Sequence, residues 1–154
     1  MIFHYLARGV ILMNEKVLLA HQIGANNTFL PGGHIEFGER AEFALARELT
    51  EEIGKQAITK QFIGAVEWLW TDNNQTNHEV NLIFEAAVPG LDSNEPPRSQ
   101  ESHLEFIWSK PAELRANNLK PDPLIECLTT WERGYRGYWG SFKDREKKAN
   151  AILD

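Results

Sequence analysis

Cysteine is almost missing from this chain of 154 residues: Cys127 stands alone. A lone cysteine excludes an intramolecular disulfide and a multi-cysteine zinc site. Long apolar runs are missing too. The longest, residues 10–13 and 17–20, fall far short of the ~18 needed for a membrane span. The segment Met1-Ile2-Phe3-His4-Tyr5 has neither the basic region nor the apolar core of a secretory signal, so a cytoplasmic protein is expected. Basic excess is lacking as well. Lys and Arg number 16 against 22 Asp and Glu, a net charge of −6, which argues against a general nucleic-acid binder. Neither nucleic acid nor membrane is expected as a partner. With 42% hydrophobic residues, the chain fits a single domain over 1–154, long enough to bury about 68–70% of its unfolded surface.

The acidity is concentrated. Six Glu (36, 39, 42, 48, 51 and 52) stand against Arg40 and Arg47 between positions 36 and 52, whereas 131–154 carries six basic and four acidic residues. Residues 3–13 are apolar and aromatic, and Asn14-Glu15 separates them from 16–21, which reads as a hairpin. Pro31-Gly32-Gly33 is a turn signal. From about 40 to 53 the period changes: Ala41, Leu45, Leu49 and Ile53 recur every four residues, and Gly54 supplies a stop. Two long strand-like runs follow, 58–71 and 78–88, joined by Asp72-Asn73-Asn74-Gln75. Residues 104–108 alternate as a further strand, Pro111 starts a short helix, and 123–131 reads as a second true helix. This order predicts an α/β (α+β) fold, a mixed sheet with helices on its faces.

Glu48, Glu51 and Glu52 share one face of the first helix, at i, i+3 and i+4. Carboxylates so placed repel one another and weaken an isolated helix by a few tenths of a kcal/mol per pair. A solvated acidic face is the plain explanation; the chemical one is a hard divalent cation, which takes oxygen ligands and can polarise a phosphoryl oxygen or acidify a bound water.

Those three residues end a longer pattern: Gly33, five residues, Glu39, seven residues, then Arg47-Glu48-Leu49-Thr50-Glu51-Glu52-Ile53-Gly54. It resembles the Nudix box, G-x5-E-x7-R-E-U-x-E-E-x-G-U, where U is apolar. Every fixed position matches, and the one departure is Lys55 at the final apolar place. The resemblance implies a Nudix α/β/α sandwich with a central mixed sheet and the Nudix loop-helix. Its core would occupy about 1–130, followed by an aromatic and basic extension, 131–154. It also implies Glu48, Glu51 and Glu52 as ligands for Mg²⁺ or Mn²⁺, and Glu39 with Arg47 as a buried pair tying loop to helix. Gly33 and Gly54 would be hinges, with Pro31-Gly32-Gly33-His34 as the turn that sets the helix start. Glu52 is the candidate base. A further acidic residue ahead of the last core strand would be Glu101 or Glu105; Glu101 is the better placed, since it lies in the loop. The implied reaction is metal-assisted hydrolysis of a nucleoside diphosphate linked to another group.

Substrate class follows by elimination within that resemblance. ADP-ribose hydrolases of the family carry a Pro where this chain has Trp70 and Thr71, and diadenosine polyphosphate hydrolases a Tyr where it has Asp72 and Asn73. The coenzyme A signature is absent around 18–29. Nucleoside triphosphates remain, with nucleotide-pool sanitation as one role; nucleotide-sugar or dinucleotide hydrolysis and a catalytically silent nucleotide sensor are the alternatives. Trp68 and Trp70 alternate along one strand and face one side of the sheet, open to base stacking or to core packing. Phe29, Phe37 and His34 are further candidates for substrate contact, and Asn77, His78 and Asn81 could hydrogen-bond a base. Cys127 reads as a buried helix residue. The aromatic segment 131–140 reads as packing across the domain or against a second subunit, and a homodimer is compatible with it.

Overall fold

The computed structural model describes residues 1–142; the rest of the expected C-terminal extension, 143–154, lies outside the described residues. The elements in chain order are β1 (Ile2–Val10), β2 (Leu12–Met13), β3 (Lys16–Gln22), β4 (Thr28–Phe29), β5 (Gly32–His34), α1 (Ala41–Ile53), β6 (Ile58–Asp72), β7 (Gln75–Ala87), β8 (Leu104–Ser109), a 3₁₀ turn (Pro111–Glu113), α2 (Pro123–Glu132) and β9 (Tyr138–Gly140).

Five strands form a mixed sheet in the order β5-β1-β7-β6-β9. β1 runs parallel to β7, β5 antiparallel to β1, β6 antiparallel to β7, and β9 parallel to β6. A second sheet is built on β3, which pairs β2 and β4 and takes β8 along its length. Two packed clusters flank the large sheet. On one face Leu45, Leu49 and Ile53 of α1 meet Ala7, Phe84 and Ala86. On the other, Leu124, Cys127 and Leu128 of α2 meet Val10, Val66 and Ile83. β3 serves both, sending Leu18 and Ala20 to the first cluster and Val17 and Leu19 to the second. The chain is therefore an α/β/α sandwich, as expected. Burial also holds the Cys127 thiol, raising its pKa to about 12.

Three local expectations change. Residues 3–13 are not one arm of a hairpin: the chain leaves the large sheet after Val10, and only Leu12 and Met13 pair with β3. The long pairing of β1 is instead with β7, from Ile2↔Asn77 to Val10↔Glu85, a contact between segments about seventy residues apart that no local pattern announces. The second correction concerns Gly32-Gly33-His34, which is a short strand on the edge of β1 rather than a turn; α1 begins only at Ala41. Third, β9 extends the large sheet with residues that read as tail: Gly64 pairs with Tyr138, and Tyr138 and Trp131 pack on the α2 cluster. The turns were legible. Asn14-Glu15 and Asn73-Asn74 all have positive φ, the backbone that a two-residue hairpin of the primed type requires.

Leu49 is fully enclosed (0% exposed) between α1 and the sheet. Leu49→Ala is expected to cost about 2–5 kcal/mol of folding free energy through lost burial and the cavity left behind, read by chemical denaturation.

Candidate active site

α1 is amphipathic in the way its period requires: the apolar stripe is buried, and the acidic positions line the side that faces β5. Gly54 ends it in the left-handed conformation (φ 73°), its N–H donating to Thr50 O at 2.8 Å. Lys55, the departure from the box pattern, is exposed and donates to Gly90 O, so its site is not an apolar contact in this chain.

The carboxylates of α1 meet the backbone of β5. Glu52 is 4% exposed, and its Oε2 accepts the Gly32 N–H at 3.1 Å. Glu48 lies against Gly33 so closely that a Cβ there would overlap the carboxylate. Gly33 thus leaves room for the carboxylate rather than acting as a hinge; the left-handed φ of 123° belongs to Gly32. The loop ahead of β8 is pinned to the same place, since Gln100 N–H donates to Glu52 O at 2.8 Å and Ser99 Oγ bonds the Glu101 N–H at 3.1 Å. This brings Glu101 within electrostatic range of Glu52. Glu105 points elsewhere, bonded to His21 Nδ1 at 2.8 Å.

The Glu52 pKa stands at about 7 rather than 4.5: burial raises it most, Arg8 and the Gly32 N–H oppose the rise, and Glu101 and Glu48 add to it.

Arg47 organises the rest. Its Nε and Nη2 each donate to the Glu39 carboxylate at 3.0 Å, a bidentate geometry. Nη1 reaches Glu48 at 2.8 Å and Glu51 at 3.3 Å, and Nη2 also donates to His34 O at 3.2 Å. The Glu39–Arg47 pair is half-buried rather than buried, with side chains 21% and 31% exposed. The bond to Arg47 lowers the Glu39 pKa, and the Glu39 bond raises that of Arg47.

The same geometry decides whether a divalent cation fits. Among the described residues no three His, Cys, Asp or Glu side chains converge as a finished cage, because Arg47 holds Glu48 and Glu51 while Gly32 holds Glu52. The donor chemistry does fit: oxygen ligands only, one of them a buried carboxylate whose charge its acidic neighbours disfavour. A cation there would relieve that repulsion and take over from Arg47 as counter-charge.

Beside this cluster opens a cleft of about 490 Å³, within the range of small-molecule sites. Its floor is the large sheet: Arg8 from β1, Glu79 and Asn81 from β7, Trp68 and Trp70 from β6. Phe29 and Leu30 form one wall, Lys120, Pro121 and Leu124 the other. Trp70 and Phe29 therefore stand where the sequence reading places substrate contacts. His34 does not line the cleft; its Nε2 lies 3.1 Å from Nδ1 of His4, which stacks on Trp70 at 6.4 Å. Burial, then His4 and Arg8, lower the His34 pKa. Phe37 is fully exposed and does not line the cleft. Asn77 is spent on His4 Nε2 at 3.0 Å.

Arg8 was missed by sequence reading. Its guanidinium donates to Leu30 O (3.3 Å) and Gly32 O and lies 5.1 Å over the Phe29 ring, so it joins the cleft to the carboxylate cluster. Burial lowers its pKa, opposed by Glu79, Glu52 and Glu48. A single cation inside an otherwise apolar strand was the available signal.

A family model described as NUDIX domain matches residues 4–142, and the chain belongs to the Nudix family. Nucleoside triphosphatase NudI of Escherichia coli O139:H28 (strain E24377A / ETEC) is 30% identical over 95 residues, which are 55% of this chain and 62% of that protein's length. The crystal structure of MutT protein from Methanosarcina mazei Go1 is similar with a TM-score of 0.69 at 17% identity, over 86% of this chain and 95% of that one. A UDP-X diphosphatase structure gives 0.64 at 21%, over 91% and 68%. At these identities the structural likeness is one of fold.

Two outcomes are expected. Arg47→Ala removes the counter-charge from three carboxylates and should lower Tm; Arg47→Lys should not restore it fully, because an ammonium cannot reproduce the bidentate contact. Equal melting of wild type and Arg47→Ala would remove the structural role. In metal-free protein the folded-state value of Glu52 lies above its ordinary 4.5. Its contribution is therefore full below pH 4.5 and is lost as pH rises through about 7. Glu52→Gln should raise Tm more at pH 8 than at pH 5, and a pH-independent difference would contradict the burial of a charge there.

Proposed function

We propose that the chain is a divalent-metal-dependent pyrophosphohydrolase that cleaves the diphosphate linkage of a nucleoside triphosphate or a related nucleoside diphosphate derivative. The observation that carries this reading is the junction at Gly32, where one residue takes the buried Glu52 carboxylate on its N–H and the Arg8 guanidinium of the aromatic cleft on its C=O. Phosphates that pass the carboxylate cluster would thus leave their base among Trp68, Trp70 and Phe29. The name of the nucleoside triphosphatase relative points the same way.

Glu48, Glu51 and Glu52 would hold Mg²⁺ or Mn²⁺. Bound there, the ion would polarise a phosphoryl oxygen and lower the pKa of a water. Glu52, buried and held by Gly32, keeps its carboxylate fixed at the phosphate end and is the candidate proton acceptor. Glu101, pinned through Ser99, is the second candidate. Arg47, through its bidentate hold on Glu39, keeps α1 on its loop even where Glu48 and Glu51 would serve an ion. Arg8 fixes Leu30 and Gly32, and with them the floor between base and phosphates. The protein would work in the cytoplasm, as the lack of a secretory-signal pattern in residues 1–5 suggests, with a homodimer compatible with the aromatic segment 131–140.

A catalytically silent sensor is favoured by one observation, the grip of Arg47 on two of the three carboxylates. Phosphate and pyrophosphate release from a panel of nucleoside triphosphates, nucleotide sugars and dinucleotides separates the readings. With Mg²⁺ or Mn²⁺, turnover of at least one member is expected, abolished by chelation and reduced by orders of magnitude in Glu52→Gln. Tight binding of a nucleotide without turnover of any would establish the sensor instead.

A further inference from the structure

The floor of the cleft is chemically uneven. Trp68 and Trp70 offer flat apolar faces, whereas the adjoining strand offers Glu79 and Asn81. Asn81 is 1% exposed and fully engaged. Its Oδ1 accepts from Arg8 Nε at 3.4 Å, and its Nδ2 donates to Val66 O at 3.5 Å and to Glu79 Oε1 at 3.0 Å. Arg8 is engaged in turn with the carbonyls of Leu30 and Gly32. Glu79 differs from both. It is the one carboxylate among the described residues that line the cleft, and only its Oε1 is used; Oε2 takes no hydrogen bond from the described residues. Arg8 supplies its compensating charge, and the Asn81 amide fixes its orientation. An ionised carboxylate accepts hydrogen bonds and gives none. A fixed acceptor with an open oxygen, beside two indole faces, requires a donor on whatever stacks there.

We propose that the chain selects nucleotides by the edge of the base, Glu79 Oε2 accepting from an exocyclic amino group, so that cytosine is preferred to its oxo counterpart, uracil. This rests on the nucleotide reading given above. Uracil would bring its O4 against the carboxylate, one acceptor against another with no proton between them, leaving the carboxylate desolvated and unpaired, which costs more than the bond itself contributes. The imide N–H of uracil does not rescue it, since carbonyls flank that proton on both sides and repel an approaching carboxylate. Gln22 and Asn27 also line the cleft, but an amide can present either its donor or its acceptor end and so does not discriminate. Lys120 Nζ, a donor that also lines the cleft, is held by Asp122 Oδ1 at 2.6 Å, so selection falls to Glu79. Acidic side chains accepting from the cytosine amino group are an established mode of base reading.

The test compares kcat/KM, with Mg²⁺, for cytidine against uridine triphosphate. Cytidine triphosphate should lead by about tenfold or more, and Glu79→Gln, which can donate as well as accept, should bring the ratio towards unity. A wild-type ratio at or below unity, or one that Glu79→Gln leaves unchanged, overturns the proposal. If that variant does not fold, the wild type decides alone: the triphosphate of the pyrimidin-2-one nucleoside, which lacks the amino group, must fall below cytidine triphosphate by a similar factor. Equal kcat/KM for the two refutes amino recognition. If neither triphosphate is turned over with Mg²⁺ or Mn²⁺, the ratio of their Kd values, by calorimetry, decides base selection: a ratio favouring cytosine by about tenfold supports it, and equal values overturn it. Failure of the whole nucleotide panel refutes the hydrolase reading instead.

Discussion

Everything in the site depends on how closely α1 approaches β5. Two carboxylates of the helix come to rest on two consecutive glycines: Glu52 takes the Gly32 N–H, and Glu48 fills the space where a Gly33 side chain would stand. Any side chain at position 33 would displace the Glu48 carboxylate from this place. The contact buries a charge that would otherwise stay in water, and burial of an ionised carboxylate is unfavourable unless it is paired. Here the compensation is shared. Arg8 and a backbone N–H serve Glu52, and Arg47 serves Glu48. The sheet thus supplies its own cation to one side of the cluster while the helix supplies another.

That sharing gives the two arginines different jobs. Arg47 is half-buried and reaches three carboxylates and a carbonyl from one helical position, so it can give up Glu48 and Glu51 and still hold Glu39. Arg8 has no such slack. Its bonds go to the backbone of Leu30 and Gly32 and to Asn81, so it ties the cleft to β5. A change at Arg8 would therefore be felt in both the cleft and the carboxylate cluster, whereas a change at Arg47 would be felt first by the helix.

The helix and its chemistry were legible in the sequence because both are local. The four-residue apolar recurrence, the Gly54 stop and the carboxylates at i, i+3 and i+4 all lie within one short stretch, and the resemblance to the family box needs nothing beyond it. The family match and the fold agree with that reading. What was not legible depends on pairing across the chain. β1 joins β7 rather than β3, so Arg8 comes to lie beside Asn81, and the polar floor of the cleft is assembled from strands that sequence order keeps apart. Gly32-Gly33 carries a turn signature yet forms an edge strand, since strand pairing to Leu6–Arg8 outweighs local preference. That Trp70 and Phe29 line the cleft was within reach of their type and strand position; that Glu79 lies beside them was not, because strand pairing alone brings it there.

Cys127 sits in the opposite half of the core from α1, its thiol held neutral by the packing of α2 against the sheet. Thiolate is the reactive form, so the folded protein should be blind to alkylating reagents. Reaction at that sulfur would then need α2 to lift away from Val10, Val66 and Ile83. The chain therefore carries an internal clock for the opening of this layer: the rate at which its one thiol is captured counts how often the sandwich comes apart.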